Sequence, residues 1–86
     1  MPFVYILRCA DGTLYTGCAL DPARRLAAHN SGRGARYTSG RRPVRLIYSE
    51  PCPTIGDALR RERELKRWPT AKKRALIAAA RRGGGR

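Results

Sequence analysis

Acidic residues are what this 86-residue chain lacks most: 6 Asp plus Glu stand against 19 Lys plus Arg, leaving a formal net charge of +13. That imbalance argues against a cationic partner and points to a polyanion, with nucleic acid first. Cysteine is scarce and unpatterned. Cys9, Cys18 and Cys52 form no CxxC pair, and His29 is the only histidine to supplement them. A zinc site or a disulfide framework is therefore poorly supported, and a reducing cytoplasm is the expected location. No apolar run approaches the roughly 18 residues of a spanning helix, and Met1-Pro2-Phe3 leads into a strand-like segment instead of a signal peptide. Neither a membrane span nor secretion is expected. The length suits one domain, placed at residues 1–82, with a disordered basic tail at 83–86. Hydrophobic residues make up 42% of the chain in periodic segments, which excludes disorder throughout.

The segment from Phe3 to Cys9 is β-branched and aromatic, and Asp11-Gly12 separates it from Thr13-Leu14-Tyr15-Thr16-Gly17, as in a β-hairpin. A two-residue loop would put Tyr5 and Tyr15 on opposite faces. A three-residue loop over 10–12, with Gly12 left-handed, would pair Leu7 with Tyr15 and Tyr5 with Gly17, so that both phenols share a face. Asp21-Pro22 announces a helix to about Asn30, with Asp21 as N-cap and Pro22 where a missing N–H costs nothing. Residues 31–42, rich in Gly and Arg, read as a surface loop, and 43–48 as a third strand. Thr54 and Asp57 resemble a capping box opening a helix to about Arg67. Trp68-Pro69-Thr70 interrupts it, and a last helix over 71–82 ends at the glycines. The order β-β-α-β-α-α implies an α+β fold, a small antiparallel sheet flanked by helices.

Several residues admit both a chemical and a structural reading. On the helix after Thr54, the apolar stripe of Ile55, Ala58, Leu59 and Leu65 brings Glu62 onto or beside it. A carboxylate there must snorkel, meet a cation or hold a metal, and the spacing alone favours a rim pair with a neighbouring arginine. Arg25 and His29, four residues apart, share a helix face and suit one phosphate, although a solvated basic face explains them equally simply. Tyr5 and Tyr15, taken singly, are ordinary core aromatics. Arg33, Arg36, Tyr37, Arg41 and Arg42 mix cations with an aromatic as nucleic-acid grooves do, and Arg24 extends that basic set.

In combination these residues resemble the GIY-YIG nuclease superfamily. Phe3-Val4-Tyr5 and Tyr15-Thr16-Gly17 stand where its two triplets would be, followed in order by Arg25, His29 and Glu62. Residues 15 to 46, with their Arg-Arg-Leu helix ending in His-Asn-Ser-Gly, Arg-Tyr-Thr loop and Pro-Val-x-Leu strand, are similar to the short stand-alone bacterial branch. The resemblance implies three antiparallel strands and selects the three-residue hairpin loop. It also implies a single divalent cation, Mg²⁺ or Mn²⁺, held by Glu62, Arg25 on the scissile phosphate, and Tyr5, Tyr15 and His29 positioning or deprotonating water. Phe3, Thr16 and Cys18 depart from the pattern, Cys18 replacing a basic residue that some repair nucleases carry there. The expected activity is a metal-dependent endonuclease on DNA, with RNA open and structured or damaged DNA as the expected target class. The alternatives are a non-catalytic basic binding module and a nuclease subunit whose protein partner supplies target recognition.

Overall fold

The computed structural model describes residues 1–84. Strands β1 (Phe3–Arg8), β2 (Leu14–Ala19) and β3 (Arg45–Pro51) form one antiparallel sheet in the order β2-β1-β3. The helices are α1 (Pro22–Asn30), α2 (Arg36–Ser39), α3 (Ile55–Arg67) and α4 (Thr70–Gly84). None is long and apolar enough to cross a membrane.

The hairpin takes the three-residue loop. Leu7 pairs with Tyr15 and Tyr5 with Gly17, the Cys9 N–H donates to the Thr13 carbonyl at 2.8 Å, and Gly12 sits at φ 87°. Only a residue without Cβ occupies that left-handed region cheaply, so Gly12 sets the register on which the tyrosines' shared face depends. Asp21 caps α1 by accepting from the Arg24 N–H at 3.1 Å, and Thr54 caps α3 by accepting from the Asp57 N–H at 3.1 Å. Both caps satisfy backbone donors that the helix cannot satisfy itself.

Each sheet face has its own core because β1 is buried on both sides. Tyr5, Leu7, Cys9, Ala19 and Val44 pack with Leu26 of α1, whereas Val4, Cys52, Ala58 and Leu65 pack with Trp68 and Leu76. Two clamps fix the helices to β3 and to Val44 just before it. The Asn30 side chain donates to the Val44 carbonyl at 3.0 Å and accepts from the Val44 N–H at 2.7 Å. Arg61 of α3 grips Glu50 with Nε at 3.0 Å and Nη2 at 3.3 Å, while the Tyr48 hydroxyl donates to the same carboxylate at 2.6 Å. Burial and this neighbouring carboxylate push the Tyr48 phenol up to about 12.

The structure corrects four expectations. The loop at 31–42 contains the short helix α2, organised around Thr38, which is fully buried. β3 starts at Arg45 and continues to Pro51, with an irregularity in its pairing between Ile6 and Leu7 of β1. The stripe on α3 is narrower than expected: Ala58 and Leu65 are buried with partly buried Glu62 beside them, whereas Ile55 and Leu59 are 55% and 41% exposed. In α4, whose sequence offers Ala75, Leu76, Ala79 and Ala80 as the apolar members, Leu76, Ile77 and Ala78 turn inward while Ala75, Ala79 and Ala80 are exposed. That helix also continues through Gly84, and the remainder of the expected tail, residues 85–86, lies outside the described residues.

Candidate active site

Gly17 and Gly34 create the space in which the aromatic part of the site is assembled. A Cβ on Gly17 would sit 2.6 Å from the Tyr5 hydroxyl, and one on Gly34 would overlap the His29 ring. The two glycines therefore let β2 and the loop before α2 close over Tyr5 and His29. Both side chains are buried, at 2% and 1% exposure.

The Tyr5 hydroxyl lies 3.1 Å from His29 Nε2, and His29 Nδ1 lies 2.8 Å from Thr38 Oγ1. Thr38 in turn donates to the Ala35 carbonyl at 3.0 Å. A carbonyl can only accept and a hydroxyl has one proton, so Thr38 must accept from His29 Nδ1–H. The proton on Nδ1 leaves Nε2 as an acceptor, and Tyr5 donates to it. This polarity runs from the phenol inward. Burial, then the positive charge of Arg25, holds the His29 imidazole below its ordinary value, so it is neutral at pH 7. Burial first, and Tyr15 next, push the Tyr5 phenol up to about 12, with Glu62 acting in the same direction and Arg25 against it. His29 is thus not a solvated cation at a helix end. Nor is it free to bind a phosphate directly, since both of its nitrogens are engaged.

Tyr15 packs edge-on against His29, with ring centroids 5.2 Å apart, and stacks on Tyr37 at 5.8 Å. Glu62 approaches from the other helix layer, and its Oε2 lies 2.9 Å from Lys66 Nζ. The expected arginine partner is therefore replaced by the lysine one helical turn on. Its side chain is 17% exposed, less than those of the other four carboxylates in ion pairs among the described residues. Burial raises the Cys18 thiol, as do its hydrogen bond to Glu62 and that carboxylate's charge. A shallow cleft between α1 and the start of α3 is lined by Cys18, Arg24, Arg25 and Ile55.

Tyr5, Tyr15, Arg25, His29 and Glu62 thus converge. The arginine-rich loop does not behave as one basic patch. Arg41 pairs with Asp11 at 3.0 Å, donates to the Tyr37 carbonyl and lies 4.0 Å from the Tyr37 ring centroid. Arg42 donates to the Ser39 and Asn30 carbonyls. Arg41, Arg42 and Tyr37 therefore hold the loop together, while Arg24, Arg33 and Arg36 are exposed on the surface. Sequence reasoning missed Lys66, whose ammonium sits on Glu62 and 5.9 Å from the Tyr15 centroid. The i,i+4 spacing from Glu62 carried that signal. It also missed Thr38 and Gly34, which no helical or strand period marks.

The donor set bears on the implied metal. Among the described residues no group of three or more His, Cys, Asp or Glu could enclose an ion. A lone half-buried carboxylate that already attracts a cation fits an ion that keeps most of its waters, as Mg²⁺ does, and not a fully protein-ligated zinc.

A UPF0213 protein of Desulfotalea psychrophila is 50% identical over 82 residues, spanning 94% of this chain and 74% of the relative. A UPF0213 protein of Staphylococcus aureus is 52% identical over 75 residues, spanning 87% and 92%. The solution NMR structure of a UPF0213 protein from Bacillus halodurans matches with a TM-score of 0.59 at 44% identity, covering 92% of this chain and 85% of that one. The model of the GIY-YIG catalytic domain matches residues 1–75, and the chain belongs to the GIY-YIG family.

Proposed function

We propose that this protein is a divalent-metal-dependent endonuclease that hydrolyses phosphodiester bonds in DNA, with structured or damaged DNA as its target class. The observation that carries the reading is that one buried phenol, Tyr5, is hydrogen-bonded to His29 and within the field of both Arg25 and Glu62. A base, a phosphate-binding cation and a carboxylate for the metal are the parts phosphodiester hydrolysis needs around one reacting phosphate.

Arg25, exposed at the cleft, binds the scissile phosphate and stabilises the charge that grows on its oxygens. Tyr5 is protonated at neutral pH and is too weakly acidic to serve alone as a base. It accepts a proton from water only as it passes its own to His29 Nε2, leaving an imidazolium whose Nδ1–H stays on Thr38. His29 is then the proton store and Tyr5 the relay through which the proton reaches it. Tyr15 packs His29 in place. Glu62 would hold Mg²⁺ or Mn²⁺, which when bound supplies Lewis-acid stabilisation of the phosphate.

The Lys66 ammonium on Glu62 favours a second reading, in which the carboxylate is neutralised and the protein binds nucleic acid without turnover or awaits a protein partner. Cleavage of labelled single-stranded, duplex, flapped and four-way DNA with Mg²⁺ or Mn²⁺ separates the two. Under the nuclease reading, Glu62→Ala abolishes cleavage and retains binding. Tight binding by both proteins with no metal-dependent product would overturn it.

A further inference from the structure

A second cationic feature lies away from Tyr5 and Glu62, in a groove of about 480 Å³ between the sheet and α4. Arg8 and Arg45 form one side, Arg74 and Arg81 the other, and Leu14, Ile47, Ile77 and Ala78 supply an apolar lining. Arg8 and Arg45 are direct cross-strand partners, an arrangement in which like charges destabilise a sheet. Arg74 and Arg81 are two turns apart on α4, so both project from one side of that helix. No carboxylate among the described residues relieves this repulsion. Asp11, Glu50, Asp57, Glu62 and Glu64 pair with Arg41, Arg61, Arg60, Lys66 and Arg61, and Asp21 caps α1. Arg74 donates to the Gly12 carbonyl at 3.3 Å, which orients one head but leaves its charge unbalanced.

Four guanidiniums around an apolar lining complement a ligand with repeated negative charge and exposed apolar surface. A single nucleic-acid strand offers both, whereas a duplex turns its base faces inward. Leu14 lies four residues along β2 from Cys18 beside Glu62, about 13 Å at the usual strand rise, so the groove is separate from the cleft at Arg25. From this placement we infer that the groove formed by Arg8, Arg45, Arg74 and Arg81 binds a single-stranded nucleic-acid segment flanking the position at which the catalytic cleft acts. The inference rests on the nucleic-acid reading above and is independent of turnover.

The test is fluorescence anisotropy with labelled oligothymidylate, and with a labelled duplex of the same length, in EDTA, titrated with salt. Arg45→Ala/Arg81→Ala removes two exposed groove cations, and Arg63→Ala/Arg67→Ala removes two exposed arginines outside the groove. With about 0.7 lost from the log–log salt slope per single-strand phosphate contact, the groove variant should lose about 1.4 and bind markedly more weakly. The control variant should change far less. Circular dichroism melting confirms that both remain folded. Equal losses in the two variants would overturn the inference and leave the nuclease reading standing. So would displacement of the strand from the groove by a free mononucleotide, or a loss confined to duplex DNA. Failure of the unmodified protein to bind either form of DNA would overturn both.

Discussion

On the α1 side of the sheet Tyr5, His29 and Thr38 form a buried, uncharged chain whose protons all have assigned acceptors. On the α3 and α4 side Glu62 meets Lys66, and four arginines line a groove without any acid. The first region is completed within the protein, while the second is left incomplete in charge. The contrast teaches that in so basic a chain the number of arginines says little about where an anion binds. Arg41, one of the cations of the arginine-rich loop, is paired with Asp11, whereas Arg42 donates only to carbonyls and keeps its charge.

The largest way to break the contrast is to fill the space beside His29. Gly34→Val should cost about 3 kcal/mol or more in urea unfolding, because the new side chain overlaps a ring that has nowhere to move. Cleavage should fall with it while DNA binding by the remaining folded protein persists. A gentler disruption is Thr38→Val, which keeps the shape and removes the acceptor for His29 Nδ1–H. Leaving that buried N–H unpaired should cost about 1–3 kcal/mol and slow turnover more than it weakens binding. A variant as stable and as active as the wild type would show that Thr38 does not set the tautomer.

The two regions should also differ in pH response. His29 is held below its ordinary 6.5, so as pH falls the unfolded chain takes up its proton first. Stability from His29 is therefore full above about pH 6.5 and declines below it. Tyr5, pushed up to about 12 from 10.0, works in reverse, and its contribution declines as pH rises between those values. Tyr48 adds to the same alkaline limb, so Tyr5→Phe should shrink that limb without removing it. Urea midpoints across pH measure both limbs, and a level midpoint through the acid limb would mean that His29 is not kept neutral. The smallest expected effect is on the charged side. Lys66→Met removes a half-exposed ammonium whose pairing is worth about 0.5–1 kcal/mol, so Mn²⁺ binding followed by electron paramagnetic resonance should tighten about twofold to fivefold.

Much of the fold was legible because local rules agreed with one another. Asp21-Pro22 and Thr54 mark their helix starts by cap chemistry, while the choice between two hairpin loops came from the family resemblance, which implied that the two tyrosines share a face, and Gly12 adopts that loop. The five converging residues were legible only through the resemblance to the GIY-YIG family, because spacing alone favoured a structural reading of each. What sequence reasoning could not see depends on distant partners. Helix α2 has no apolar period, because its one inward residue, Thr38, is polar and is held by His29 from another helix. The arginine groove needs the β1–β3 register, and the irregular pairing near Leu7 decides that Arg8 faces Arg45. Ile55 and Leu59 misled for a related reason: α3 meets the sheet through Ala58 and Leu65, where a small residue allows close approach.

The strand order has a consequence for how the chain acquires its shape. β1 lies between β2 and β3, yet its two partners differ greatly in sequence distance: the hairpin contacts are local, while Phe3 reaches as far as Pro51. The hairpin can close early, but two strands alone are marginal in water, and Val4, Tyr5, Ile6 and Leu7 remain uncovered along the open side of β1. Committed folding therefore waits for Arg45–Pro51 to arrive and dock. Until it does, the segment that carries Tyr5 is an unprotected, aggregation-prone edge, so a strand buried on both faces in the finished protein passes through the most vulnerable stage of its formation.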